Sequence, residues 1–88
     1  MNIEFDSAKE AVNIAKHDIS LRAARALLLA PHKVEIDDRH DYEEDRLIAT
    51  GKIAGRLYVC VYTMRGQIYR IISLRKANRR EINDYREG

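Results

Sequence analysis

The stretch RLYVCVYTMRGQIYRIISLR, residues 56–75, decides the fold. Residues 56–63 are rich in β-branched and aromatic side chains and read as a strand. Met64-Arg65-Gly66-Gln67 is a hairpin turn, in which Gly66 is available for positive φ. Residues 68–75 read as the returning strand. Upstream, RLIATGK at residues 46–52 reads as another, with Ala54-Gly55 as its turn. Strands this close in sequence pair most simply as an antiparallel meander. Side chains alternate between the faces of a strand. Strict alternation along 68–75 puts Ile68, Arg70, Ile72 and Leu74 on one face, and Tyr69, Ile71, Ser73 and Arg75 on the other. Neither face is purely apolar, which predicts one packed face and one half-open, binding face.

Before the meander, NIEF is a short extended piece. Asp6 or Ser7 then reads as a helix N-cap, and Ser7-x-x-Glu10 fits a capping box. Ala8, Ala11, Val12 and Ala15 recur at helical spacing, which predicts the buried face of the first helix. Lys9, Asn13 and Lys16 fall on a different stripe. His17 comes near the end, and Asp18 is the stop. Ser20 can cap a second helix over residues 21–30, with Leu21, Ala24 and Leu28 inward and Pro31 ending it. HKVEI, residues 32–36, reads as a strand. DDRHDYEED, residues 37–45, reads as an exposed acidic loop. KANRREINDYREG, residues 76–88, reads as a closing helix of two to three turns. The sum is an α+β domain. Two N-terminal helices pack on an antiparallel sheet of about four strands, followed by a C-terminal helix. The helices are expected to cover one sheet face and leave the other concave and polar.

A chain of 88 residues with 45% hydrophobic content fits one domain, residues 1–88. Cys60 is the only cysteine and sits in an apolar run, as a small buried residue in a reducing compartment. No apolar run approaches the roughly 20 residues a membrane helix needs, so the expectation is a soluble, cytoplasmic protein with no membrane partner. Net charge is +2, but residues 1–45 carry −5 and residues 46–88 carry +7. That asymmetry suggests a cationic surface for a polyanion. There is no Cys/His spacing for zinc, no glycine-rich phosphate loop and no glycine-centred calcium loop. No metal or cofactor is therefore expected.

The cations are mostly arginines on or beside the strands. Arg65 is at the hairpin, Arg70 mid-strand and Arg75 at the strand end. Arg79 and Arg80 follow in the closing helix, where Glu81 is expected to pair with Arg80 or a strand arginine. Guanidinium forks match two phosphate oxygens at once. Tyr58, Tyr62 and Tyr69 have faces that can stack on unpaired bases.

Taken together, these residues resemble the BrnT family of type II toxins. The resemblance runs from EFD-x-x-K-x-x-x-N-x-x-KH (residues 4–17) to S-x-RKA-x-RRE-x-x-x-Y (residues 73–85). Between them lie Arg46, GRL at 55–57, T-x-RG at 63–66 and RIIS at 70–73. The chain departs from the family pattern at Phe5, where a Trp-like aromatic is usual nearby, at Asp18, where a glycine usually follows the histidine, and at Arg22, where an acid is common. The resemblance implies a compact RelE-like fold and RNA cleavage without a metal or cofactor. It also implies a cognate BrnA antitoxin with a ribbon-helix-helix DNA-binding part. Operator DNA would then be reached only through the antitoxin.

Such cleavage needs a base for the ribose 2′-OH, an acid for the 5′-leaving oxygen and cations on the phosphorane. Arg65, Arg70 and Arg75 are the candidates for phosphate binding and charge stabilisation, with Arg65 and Arg75 placed in the catalytic set. His17 or Glu44 is the candidate base. Lys9, Lys16 and Tyr85 are candidates to supply a proton or orient the phosphate. Lys9, Lys16, Arg46, Arg70, Arg79 and Arg80 form the expected RNA-binding set. The rival reading is a non-catalytic RNA- or DNA-binding regulator, or an inactive toxin relic acting as co-repressor.

Overall fold

Two backbone turns define the meander. Ala54 and Gly55 both take positive φ, at 51° and 81°, the pair that a tight two-residue hairpin turn requires. Gly66 does the same at the next hairpin, with φ 60°. In this computed structural model, residues 1–38 and 44–87 are described. The chain runs β1 (Asn2–Glu4), α1 (Ser7–His17), a 3₁₀ turn (Leu21–Ala23) leading into α2 (Ala24–Leu29), then β2 (His32–Asp37), β3 (Arg46–Ile53), β4 (Arg56–Arg65), β5 (Ile68–Lys76) and α3 (Arg79–Glu87).

The sheet has five strands in the order β1-β5-β4-β3-β2. Strands β2 to β5 are antiparallel, as the meander predicts. The expected sheet of about four antiparallel strands needs one addition. The extended NIEF segment joins as β1, parallel to β5, with Ile3 level with Tyr69. Of the acidic stretch read as a loop, Asp37 ends β2, and residues 39–43 lie outside the described residues.

The core lies between α1–α2 and one face of the sheet. Leu21, Ala24, Leu27 and Leu28 pack on Ala49, Cys60, Tyr62, Ile71 and Leu74. Leu21, Ala24 and Leu28 are inward as expected. Gly51 allows the close approach of α2: a Cβ there would meet His32 Cβ at 2.8 Å and Leu27 Cγ at 3.2 Å.

Strict alternation fails on β5. The β4–β5 register shifts between Val61 and Tyr62: Ser73 opposes Val61, but Ile71 opposes Tyr62. Ile72 is the extra residue of a bulge. Ile71 and Leu74 therefore both face the core. Tyr69 packs on the same core, its ring 5.4 Å from that of Tyr62. Ser73 and Arg75 share the opposite face, and Arg70 joins them beside Thr63. The mixed faces read from alternation were an artefact of one inserted residue.

Helix α1 also turns differently from its apolar periodicity. Its N-cap is Asp6, whose Oδ2 accepts from Lys9 N at 3.1 Å, so the Ser7 capping box does not form. Glu10 instead reaches forward, accepting from Ser20 Oγ at 2.6 Å and Leu21 N at 2.7 Å. Ala8, Ala11, Val12 and Ala15 are exposed, and Asn13 is the buried residue. The reason lies in β5, whose edge extends past β1 and would otherwise bury unpaired backbone groups. Asn13 Nδ2 donates to Leu74 O at 2.8 Å and to Ile19 O at 2.9 Å, and Asn13 Oδ1 accepts from Leu74 N at 3.0 Å. One side-chain amide thus stands in for a neighbouring strand. Asp18 ends α1 in the left-handed region at φ 56°, its N–H donating to Ile14 O.

The face away from α1 and α2 is not left wholly open or polar. Helix α3 bends across one end of it, where Ile82 and Tyr85 pack with Leu57, Val59, Ala77 and Ile48.

Candidate nucleic-acid interface

On the face that α1 and α2 leave uncovered, β5 presents Arg70, Ser73 and Arg75 in line. After β5 the chain is held by Ala77 N, which donates to Leu57 O at 3.0 Å. Asn78 then caps α3 reciprocally: its Oδ1 accepts from Glu81 N at 2.8 Å, and Glu81 Oε1 accepts from Asn78 N at 2.9 Å. That box aims the Glu81 carboxylate at Arg75. The guanidinium donates from Nη1 and Nη2 to the two carboxylate oxygens, both at 2.8 Å. These bonds hold Glu81 below its usual carboxylate range, with help from the Asn78 N–H and the charges of Arg75 and Arg80, while burial opposes them. Arg75 is therefore locked in orientation.

A groove of about 530 Å³ runs over this face. Its floor is Ile48, Thr50, Val59, Val61 and Ser73, and its walls include Arg75, Glu81, Asp84 and Tyr85 on one side and Lys33 and Glu35 on the other. Lys33 Nζ lies 4.9 Å from the Tyr85 ring centroid and donates to Tyr85 O at 3.0 Å. A second groove of about 360 Å³ lies beside α1, lined by Lys9, Val12, Lys16, His17, Ile72 and Ser73 among others. Ser73 lines both, so the two grooves meet there.

The predicted residues divide between these places. Arg75 and Tyr85 stand in the first groove; Lys9, Lys16 and His17 stand in the second. Arg79 and Arg80 are exposed in the first turn of α3. At the opposite end of β5, Arg70 pairs with Glu4 at 3.2 Å. Arg65 lies 3.9 Å from Glu44, both half-exposed. Arg46 begins β3, level with Asp37. Arg75 is level with Val59, six residues from Arg65 along β4. At about 3.3 Å per residue that is roughly 20 Å. One phosphate cannot meet both arginines, although a strand of RNA laid along the face can. Glu44 belongs to the Arg65 end, and His17 to the Ser73 side.

Sequence reasoning passed over Ser73 and Lys33. It left Glu81 to pair with Arg80 or a strand arginine, and the partner is Arg75. The Asn78-x-x-Glu81 spacing carries the signal for that choice, since it is a capping-box pattern. Cys60 is fully buried and its thiol is pushed up to about 12 by burial, which removes it as a nucleophile. Among the described residues, no group of three or more His, Cys, Asp or Glu side chains could hold a metal ion. No described helix is long and apolar enough to cross a membrane.

None of the curated proteins matches the chain. A protein-family match covers residues 5–81, which include all of the arginine-bearing strand and the lining of both grooves except Asp84 and Tyr85. The family is that of the ribonuclease toxin BrnT of type II toxin-antitoxin systems, and the chain belongs to it.

Proposed function

We propose that this chain is a metal-independent endoribonuclease that binds single-stranded RNA along the uncovered sheet face and cleaves it by 2′-OH attack. The observation that carries this reading is the bulge at Ile72, which sets Arg70, Ser73 and Arg75 on one face. The cations of α3 support it. Arg79 and Arg80 occupy the first helical turn, where the helix dipole disfavours positive charge by about 0.3–1 kcal/mol each. A polyanion passing there offsets that cost. In this reading the 2′ oxygen attacks phosphorus as the P–O5′ bond breaks. A base takes the 2′ proton and an acid protonates O5′. Arg75, held by Glu81, meets the phosphate and stabilises the phosphorane. His17 is the better placed of the two base candidates, because it shares a groove with Ser73. Lys9 and Lys16 line the same groove and steer the strand. Tyr85 forms the far wall.

We read the architecture as RelE-like, and the neutralising partner as a BrnA-like ribbon-helix-helix protein through which the complex reaches operator DNA. Co-purification with such a protein and loss of RNA cleavage in the complex are the expected results.

One feature favours the non-catalytic reading. The Arg75 fork is already matched to a carboxylate, so phosphate must displace or share Glu81. Incubating the purified chain with RNA in EDTA separates the readings. Discrete cleavage, lost in Arg75→Ala with an unchanged thermal midpoint, is expected. A mobility shift without cleavage overturns the nuclease assignment.

A further inference from the structure

β2 is the last strand of the sheet, and among the described residues no strand lies beside its outer edge. The edge of β5 is closed by Asn13, but β2 keeps a bare edge whose Val34 and Ile36 are 48% and 63% exposed. Leu29, 64% exposed, ends the helix from which β2 departs. An unprotected apolar edge is a template for another strand.

We propose that β2 pairs antiparallel with β2 of a second copy of this chain, on a two-fold axis at Val34, joining the two sheets into one. The charges on the strand choose both the occupant and the register. Residues opposite each other in an antiparallel pair share a face. Val34 and Ile36 are level with Ala49 and Leu47 of the core side, and Lys33 and Glu35 are level with Thr50 and Ile48 of the uncovered side. A two-fold pairing must therefore centre on a residue, not between residues. Centred on Glu35, it sets two carboxylates against each other; centred on Lys33, two ammonium groups. Centred on Val34, it sets Lys33 against Glu35 of the second copy twice, Val34 against Val34, and Ile36 against His32 twice. The ladder then ends at Pro31, which has no N–H to give. Lys33 need not release Tyr85 O, because an ammonium has three donors. The same strand pattern is thus complementary to itself, and no foreign sequence is needed to explain it.

Light scattering over a concentration series of the purified full chain tests this. The expected mass rises toward twice 10.2 kDa with concentration and falls on dilution. Lys33→Glu or Glu35→Lys alone sets like charges opposite and weakens the dimer about tenfold. The double swap Lys33→Glu/Glu35→Lys returns it to near the original strength. A parent-like circular dichroism spectrum and a cooperative thermal transition show that each variant is folded. A chain that stays monomeric throughout overturns the proposal. So does a dimer indifferent to either single swap, or one that the double swap fails to restore. Protection of the β2 amides that appears only with an added foreign strand assigns the edge to a different occupant and also overturns it.

Discussion

The two faces of this sheet are made by the same strands and differ in what they exclude. The face toward α1 and α2 is dry: Ala49, Cys60, Ile71 and Leu74 have no exposed surface. The other is floored by Val59, Val61 and Thr50 but carries Arg70, Ser73 and Arg75, with α3 closing only one end. Burial holds the first together at roughly 25 cal/mol per Å² of apolar area. The second is held by fixed hydrogen bonds around charge, which contribute less to stability and more to orientation. The lesson is that a small domain can keep its stability on one face and its chemistry on the other, provided that the register keeps them apart.

Breaking that separation has the largest expected effect. Ile71→Asp and Leu74→Asp each bury a carboxylate in the dry face, because the bulge turns both side chains inward where strict alternation would turn in only one. Loss of cooperative thermal unfolding by circular dichroism is expected in both; a cooperative transition near the parent midpoint in either contradicts the bulge. Next comes Asn13→Ala, which leaves Leu74 N–H and C=O buried and unpaired. A loss of about 2–4 kcal/mol in urea unfolding is expected. A loss under about 0.5 kcal/mol means that water or backbone replaces the amide.

Smaller effects sharpen the contrast. The carboxyls of Glu81 and Glu10 are both held below their usual range, Glu81 chiefly by Arg75 and Glu10 chiefly by Ser20. Their stabilisation is fully present above the unfolded value of about 4.3 and is lost as pH falls through the lower folded values. The thermal midpoint of the parent should thus be flat near neutrality and fall below about pH 4.3. Glu81→Gln should flatten that fall and leave the part due to Glu10, while also loosening Arg75. An acid limb identical to the parent's shows that the pair carries no linkage. The smallest effect is expected from Arg65→Ala, whose ion pair with Glu44 is 3.9 Å long and exposed. It should change stability by less than about 0.5 kcal/mol. RNA binding should weaken severalfold and lose some of its salt dependence. Abolished cleavage at full binding would place Arg65 at the reacting phosphate and reassign the Arg75 end.

Much of this arrangement is legible in the residues. The meander, both hairpin turns, the inward stripe of Leu21, Ala24 and Leu28, and the Asp18 stop all follow from local rules. What escapes them shares one cause. Alternation counts residues along a strand, and an inserted residue such as Ile72 is invisible without the partner strand. Apolar periodicity assigns Ala8, Val12 and Ala15 inward, but the neighbour of α1 is a sheet edge that requires a donor and an acceptor together. Asparagine supplies both, and alanine neither. The cationic groups were readable as a set, but their division between the Ser73 side and the Arg65 end depends on strand length and register. Glu81 was readable as the partner of Arg80 or a strand arginine, and the choice of Arg75 depends on the cap it forms with Asn78.

The Asn13 clasp spans 61 residues of sequence. β1 has the same dependence, since among the described residues its one strand partner is β5. During synthesis, then, the first 17 residues have no place on the sheet until residue 76 has left the ribosome. The middle of the chain can pair β2, β3 and β4 beforehand, but the first strand and helix must wait as unanchored segments. β5 also brings Ser73 and Arg75, so the same late event seals the sheet and assembles the cationic face. A nascent chain stalled before that point carries neither.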